Sequence, residues 1–303
     1  MLEGGIRFTK MQAFGNDYVY IDAISQKIDS PKALAVQMSN RHFGVGSDGL
    51  VLICASDRAD FRMRIFNHDG SEAEMCGNAV RSVAKFVYHY GMTDKTEFCV
   101  ETLGGVKDLV LHVDGGVVKN ITADIGQPVF DGDRVPVIAA GGKLINEPVT
   151  LGNKTFYATA MSLGNPHCVC FTEDVNELDL AKYGQLMENH AMFPQKANVE
   201  FCEVLSRGRL RLRTWERNTG ETLACGTGCC ACVTAGVLAD VCDAAVEVEQ
   251  LGGVTSVSWD EDTKRLLMTA PSEIVFEGVW RVSSIDTGEA DKQNRLQNFA
   301  GRA

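Results

Sequence analysis

The sequence predicts an α/β (α+β) protein of two pseudo-symmetric halves, each a set of strands wrapped around one largely buried helix. Three observations carry that prediction. The first is a repeat. Arg62-Met63-Arg64-Ile65-Phe66-Asn67 followed by Cys76-Gly77-Asn78 returns as Arg211-Leu212-Arg213-Thr214-Trp215-Glu216 followed by Cys225-Gly226-Thr227. The offset is constant (211 − 62 = 149 and 225 − 76 = 149), and Gly15-Asn16 returns in register as Gly164-Asn165. The second is a set of short period-two stretches rich in β-branched residues, which read as strands. The third is an apolar helical run behind each of the two Cys-Gly pairs. The first is apolar at helical spacing, and the second is apolar nearly all round, which marks a buried helix.

Taken along the chain, Arg7–Met11 and Tyr18–Ile21 alternate as strands, and Pro31–Asn40 reads as a helix broken by Gly44-Val45-Gly46. Leu50–Ile53 and Phe61–Phe66 are strands, and Ala79–Tyr88 is the helix behind Cys76, ending before Gly91. Gly126-Gln127-Pro128 breaks a strand-like segment and marks the junction between halves. In the second half His167–Phe171, Val199–Val204 and Arg209–Arg213 are strands, and Cys229–Leu238 is a helix of small apolar residues. Strand pattern returns at Ile274–Phe276 and Val279–Val282. The expected division is therefore 1–126, joined by C-terminal strands at about 272–285, then 127–271, with 286–303 a polar tail that reads as frayed or disordered.

Composition narrows the function classes. A chain of 303 residues is long enough for two domains. A net charge of −11 argues against a general nucleic-acid binder, which needs clustered Lys and Arg. The exception, Arg207–Arg217, alternates as the solvated face of a strand. No apolar run approaches the roughly 18 residues of a membrane span, and Met1–Asp17 lacks the pattern of a signal peptide. Eleven cysteines without an export signal read as a cytoplasmic protein with reduced thiols.

Context singles out two of those cysteines. Cys229-x-x-Cys232 fits a metal or dithiol pattern, but a zinc site wants a second ligand pair and none stands at motif spacing. Cys229, Cys230 and Cys232 read more simply as small core hydrophobes. Cys76 and Cys225 differ because glycine follows each and a helix begins there. The first N–H groups of a helix lack intrahelical partners and bind anions such as a carboxylate, and glycine lets a ligand approach closely. The same helix end favours thiolate by up to ~2 kcal/mol, about 1.5 pKa units at most. Burial opposes it, so a partner such as His167 or Glu216 is needed to set the proton.

Two such thiols facing one carbon suit inversion of a stereocentre. One, as thiolate, takes a proton from one face, while the other, as thiol, delivers one to the opposite face. The competing bland reading is a pair of stacked, duplicated domains whose cysteines pack helix ends.

Longer blocks sharpen this. Phe14-Gly15-Asn16-Asp17, Arg41–Gly49, Phe66-Asn67-His68-Asp69-Gly70-Ser71, Met75-Cys76-Gly77-Asn78, Gly164-Asn165-Pro166-His167, Ala197-Asn198-Val199, Trp215-Glu216-Arg217 and Gly220–Gly228 occur in this order. Together they resemble the diaminopimelate epimerases over nearly the whole chain apart from the tail. The resemblance implies two mostly antiparallel sheets or barrels, each around a central helix, with the active site in the cleft between them. It implies a cofactor-independent, metal-free isomerase that interconverts LL- and meso-diaminopimelate in lysine and peptidoglycan precursor synthesis. Cys76 and Cys225 take the acid/base positions, and His167 and Glu216 those that set the thiol protons. Backbone N–H groups around Gly77-Asn78 and Gly226-Thr227 would hold the reacting-end carboxylate. Asn16, Asn67, Asn165, Asn198, Glu216 and Arg217 match substrate contacts, and a homodimer is implied as well.

One position departs from the pattern: many members carry Gln where this chain has Gly49, so that contact is not carried over. Three rivals remain: a two-cysteine proline or hydroxyproline racemase, a non-catalytic binding protein on the same fold, and a thiol redox or metal protein using Cys229 and Cys232. Asn78 and Trp215-Glu216-Arg217 favour diaminopimelate, whose second charged end needs extra polar ligands.

Overall fold

The structure, a computed structural model, describes residues 5–260 and 262–281. The expected polar tail 286–303 and the last residues of the closing strands lie outside the described residues. The first half runs β1 (Gly5–Ala13), β2 (Asn16–Asp22), α1 (Pro31–Ser39), β3 (Gly49–Cys54), β4 (Phe61–Asn67), β5 (Glu72–Ala73), α2 (Gly77–His89), β6 (Glu97–Thr102), β7 (Gly105–Asp114) and β8 (Val117–Gly126). A short strand, β9 (Glu147–Leu151), then leads into the second copy. This is β10 (Lys154–Ser162), β11 (Pro166–Phe171), α3 (Leu180–Glu188), β12 (Asn198–Ser206), β13 (Arg209–Glu216), β14 (Gly220–Thr222), α4 (Gly226–Leu238), β15 (Ala245–Gln250), β16 (Gly253–Trp259) and β17 (Leu266–Ala270). The closing strand is β18 (Glu273–Arg281).

The repeat read from a few motifs runs through the fold. β1 and β10, α1 and α3, and α2 and α4 each begin and end 149 residues apart (154 − 5, 180 − 31 and 226 − 77). Pairing repeats with them. β1–β2, β3–β4, β6–β7 and β7–β8 are antiparallel, as are β10–β11, β12–β13, β15–β16 and β16–β17. β2–β3 and β4–β6 are parallel, as are β11–β12 and β13–β15. β18 comes back to pair with β1, as β9 pairs with β10.

The halves join where β17 lies antiparallel to β8. There Ile121 faces Ala270, and 270 − 121 is again 149. Two equivalent residues paired antiparallel place a local twofold axis through that pair. One apolar core holds residues of both α2 and α4 with the strands around them. An outer core lies under α1 in the first half, and its counterpart lies under α3 in the second. Cys229, Cys230 and Cys232 are fully buried in the central core.

α3 also anchors the end of β13. The Trp215 ring lies so close to Gly184 that a Cβ there would stand 2.6 Å from Trp215 Cγ, and Trp215 Nε1 donates to Glu188 Oε2 at 2.9 Å. Gly184→Ala should therefore destabilise the protein by about 1–3 kcal/mol through overpacking, outweighing the ~0.5–1 kcal/mol that alanine gains in a helix. Urea denaturation tests this: a midpoint at or above that of the unmodified chain would mean that α3 and Trp215 separate without cost.

Candidate active site

Cys76 and Cys225 are the N-cap residues of α2 and α4, both with extended backbone. The first bonds of each helical ladder run from Val80 N to Cys76 O and from Cys229 N to Cys225 O, both 3.0 Å. The N–H groups of Gly77, Asn78 and Ala79, and of Gly226, Thr227 and Gly228, thus precede the ladder, where helices bind anions. Both starts press on one side chain. A Cβ on Gly77 would stand 3.1 Å from Met268 Cε, and one on Gly226 would stand 2.7 Å from Met268 Sδ. Met268 of β17 is fully buried, so the two helix ends meet on it.

Around Cys76 the polar groups form a directed chain. Arg81, fully buried, donates from Nη2 to Asn78 Oδ1 at 2.8 Å and from Nη1 to Gly77 O at 3.1 Å. Asn78 Nδ2 donates to Asn16 Oδ1 at 3.3 Å, the Cys76 thiol points at the same oxygen at 3.5 Å, and Asn16 Nδ2 donates to Asp48 Oδ2 at 2.8 Å. Arg41 bridges Asp48 and Asp17. Because a guanidinium only donates and a carboxylate only accepts, both amide orientations are set from the two ends.

Cys225 has different company. Its sulfur accepts from Gly228 N at 3.3 Å and lies 3.6 Å from Thr227 Oγ1. His167 Nδ1 meets Glu200 Oε1 at 2.7 Å, and its Nε2 lies 3.0 Å from Asn165 Oδ1. A carboxylate only accepts, so Nδ1 carries the hydrogen. His167 and Glu200 are fully buried, and Glu200 Oε2 has no hydrogen-bond partner. Glu216 closes the group, accepting from Thr222 Oγ1 at 2.8 Å.

The other sequence-predicted residues sit where the strands end. Asn67 ends β4 and donates to Ser71 Oγ at 3.0 Å. Asn198 opens β12 with its side chain committed inside, donating to Pro166 O and accepting from Arg217 N, both at 3.0 Å. It braces the Arg217 backbone. The Arg217 guanidinium makes one long bond among the described residues, 3.4 Å to Gln195 O, leaving most of its fork open. At Gly49 a Cβ would stand 2.1 Å from Phe66 O and 2.9 Å from Tyr18 Cε1. A side chain there would require the β3 and β4 backbones to shift, and the neighbouring Asp48 accepts from Asn16 Nδ2.

Burial decides the thiols. It pushes Cys76 up against the pull of the Ala79 and Asn78 N–H groups, with Glu216 adding to the rise and Arg81 opposing it. Cys225 is pushed well above the ordinary thiol value, first by burial and then by Glu216 and Glu200. The helix-end effect of at most ~2 kcal/mol does not win at either site. Burial also raises Glu216, with Thr222 and His167 pulling it down. Sequence reasoning missed Arg81, Asp48 and Glu200. Glu200 had a signal, since its repeat counterpart is Val51 (200 − 51 = 149).

The family model described as diaminopimelate epimerase matches residues 8–130 and 159–275. A diaminopimelate epimerase of Methanococcus maripaludis is 48% identical over 273 residues, covering 90% of this chain and 99% of that one. Another, from Agathobacter rectalis, is 47% identical over 280 residues, covering 90% and 98%. Among solved structures, a hydroxyproline epimerase from Agrobacterium vitis has the same fold, with a TM-score of 0.67 at 13% identity over 94% of each chain. So has a Bacillus anthracis phenazine biosynthesis protein of the PhzF family, with a TM-score of 0.65 at 16% identity over 91% of this chain and 98% of that one.

Glu216→Gln gives two outcomes. A carboxyl raised on folding contributes stability below its unfolded pKa, and that contribution is lost as pH rises through the folded pKa. The glutamine variant should therefore be the more stable protein at neutral pH, with the gain vanishing below about pH 4, near the unfolded value. Equal urea midpoints at neutral pH would contradict this. The pH midpoints of alkylation at both Cys76 and Cys225 should also fall, since Glu216 raises both.

Proposed function

The chain belongs to the diaminopimelate epimerase family and is an isomerase, and from that premise we propose that it interconverts LL- and meso-2,6-diaminopimelate by a two-base thiolate/thiol mechanism. One observation carries this reading: two cysteines cap two repeat-related helices whose starts meet on Met268. The substrate carboxylate at the reacting end accepts from the N–H groups that open α2 and α4, around Gly77, Asn78, Gly226 and Thr227. Negative charge that develops as the α-carbon loses its proton lies against those same donors. The thiolate takes the α-proton as the S–H bond forms and the C–H bond breaks. The opposite thiol gives its proton to the other face, and the pair ends in the swapped state.

Arg217 offers its open fork to the distal carboxylate, and Glu216 takes an ammonium. Asn16, Asn67 and Asn165 supply neutral polar contacts, and Asn198 acts by holding the Arg217 backbone. His167 and Glu216 set the thiol protons. This reading makes the chain a cofactor-independent, cytoplasmic homodimer in lysine and peptidoglycan precursor synthesis. Its halves are 1–126 with 272–285, and 127–271.

In deuterated water under reducing conditions, LL-diaminopimelate should gain deuterium at the α-carbon and yield the meso isomer. Absence of exchange defeats the reading, and exchange on proline instead would turn it towards the racemases. Cys76→Ala and Cys225→Ala should each lower kcat for epimerisation by at least about 10²-fold; full turnover in either variant would rule out two bases.

A further inference from the structure

The repeat breaks at two buried charges. Arg81 corresponds to Cys230 in the second half (230 − 81 = 149), and Glu200 corresponds to Val51 in the first. Each half thus holds one fully buried charged side chain that its copy lacks. Each also has a buried atom without a hydrogen-bond partner, Arg81 Nε and Glu200 Oε2. Both stand at a helix start. Arg81 is bonded to Gly77 O and to the Asn78 side chain, directly after Cys76. Glu200 Oε1 lies 3.0 Å, and Cys225 Cβ 3.2 Å, from the point where a Cβ on Gly228 would stand. The carboxylate is therefore within about 6 Å of the Cys225 side chain. It also accounts for glycine at 228, whose counterpart in α2 is Ala79 (228 − 79 = 149).

We propose that Arg81 and Glu200 are positioning residues, an opposed pair of buried charges that polarises the two thiols: the cation behind Cys76 makes it the readier thiolate, and the anion behind Cys225 keeps that one a thiol. The inference rests on the two-base reading above and adds which cysteine is the base in the resting enzyme.

The other groups facing each sulfur leave that polarity in place. Glu216 raises both thiols. Tyr18 and Tyr20 face Cys76, but burial pushes both phenols up, so they stay neutral. Asn16 accepts from Cys76 while Gly228 N and Thr227 Oγ1 face Cys225, contacts that run against the proposed polarity. They are long bonds to sulfur: at Cys225 the Glu200 charge outweighs Thr227 and Gly228 N, and at Cys76 the Ala79 and Asn78 N–H groups pull in the same direction as Arg81. Gln250 holds Cys225 N and brings no charge. His167 is the group that opposes Glu200: with Nδ1 on Glu200 Oε1 and Nε2 on Asn165 Oδ1 it faces acceptors on both sides, and it offsets part of the carboxylate's charge while Oε2 stays unpartnered.

The test is the pH dependence of iodoacetamide labelling at each cysteine in the reduced full chain, read by peptide mass. A midpoint, unlike a rate, is not set by how fast the reagent reaches each sulfur, and because burial moves it too, the charge variants below separate the charges from burial. Cys76 should titrate at the lower pH. Glu200→Gln, close in shape, should raise the Cys225 thiolate fraction at a given pH by about tenfold and leave Cys76 unmoved, unlike Glu216→Gln, which moves both. Arg81→Met should raise the Cys76 midpoint, and Arg81→Lys should hold it near that of the unmodified chain. The proposal is overturned if Cys225 titrates at or below Cys76. It is also overturned if Glu200→Gln, with unchanged circular dichroism, leaves Cys225 where it was. Labelling needs no turnover, so these outcomes stand apart from deuterium exchange, whose failure would sink the epimerase reading instead.

Discussion

The two helix starts share one side chain, and much of the site follows from that. Met268 sits on β17 beside the seam with β8, under both Gly77 and Gly226. An added Cβ at either glycine would press on its flexible thioether, which can give, so glycine at both positions matters chiefly for the approach of a ligand to the backbone. A thioether fills such an irregular gap well because it is unbranched and flexible. With the helix ends held there, the N–H groups that open α2 and α4 lie close together, those of Asn78, Ala79 and Gly228 turned to the cysteine sulfurs. The local twofold at Ile121 and Ala270 makes this arrangement from one ancestral half used twice.

Most of that frame could be read from the chain. The constant offset identified the duplication, and α2 and α4 keep it from first residue to last. Cys76 and Cys225 stood out because glycine and a helix followed each. What stayed hidden were charges buried where a period rule places them in water. In β12, Val199 and Phe201 enter the outer core under α3, while Cys202 joins the core around α4. Both faces of the strand are covered, so alternation could not show that Glu200 points inward. Arg81 misleads for a similar reason. Arg81 and Lys85, spaced i and i+4, would form a wet stripe on a surface helix, yet both are buried because strands enclose α2. Two-residue β5 and three-residue β14 are too short to carry a period at all.

Four of the places where the copies disagree lie at the site. Tyr18 stands opposite His167 in the repeat, Val51 opposite Glu200, Ala79 opposite Gly228 and Asn67 opposite Glu216. These differences are coupled: the Glu200 carboxylate bonds to His167 and fills the space that a side chain at 228 would need. A change at Glu200 therefore calls for changes at 167 and 228, unlike a neutral drift of surface residues. The backbone keeps its symmetry around the reacting centre, and the side chains give it up.

That asymmetry bears on how buried thiols can work as bases. Burial holds both thiols above their ordinary range, and Glu216 is the charged group that adds to the rise at both. In the role proposed for Glu216, a substrate ammonium pairs with this same carboxylate. The pairing offsets the negative charge that keeps protons on sulfur, so both thiols become more acidic as the substrate arrives. The N–H groups at the helix starts cannot supply this alone, because their effect is the smaller one. Arg81 and Glu200 are fully buried and have no substrate role in this reading, so the difference they make between the two cysteines would persist while both come down together. On the proposed reading, substrate binding thus generates the base where the α-proton is to be removed, and the buried charges decide which sulfur holds it.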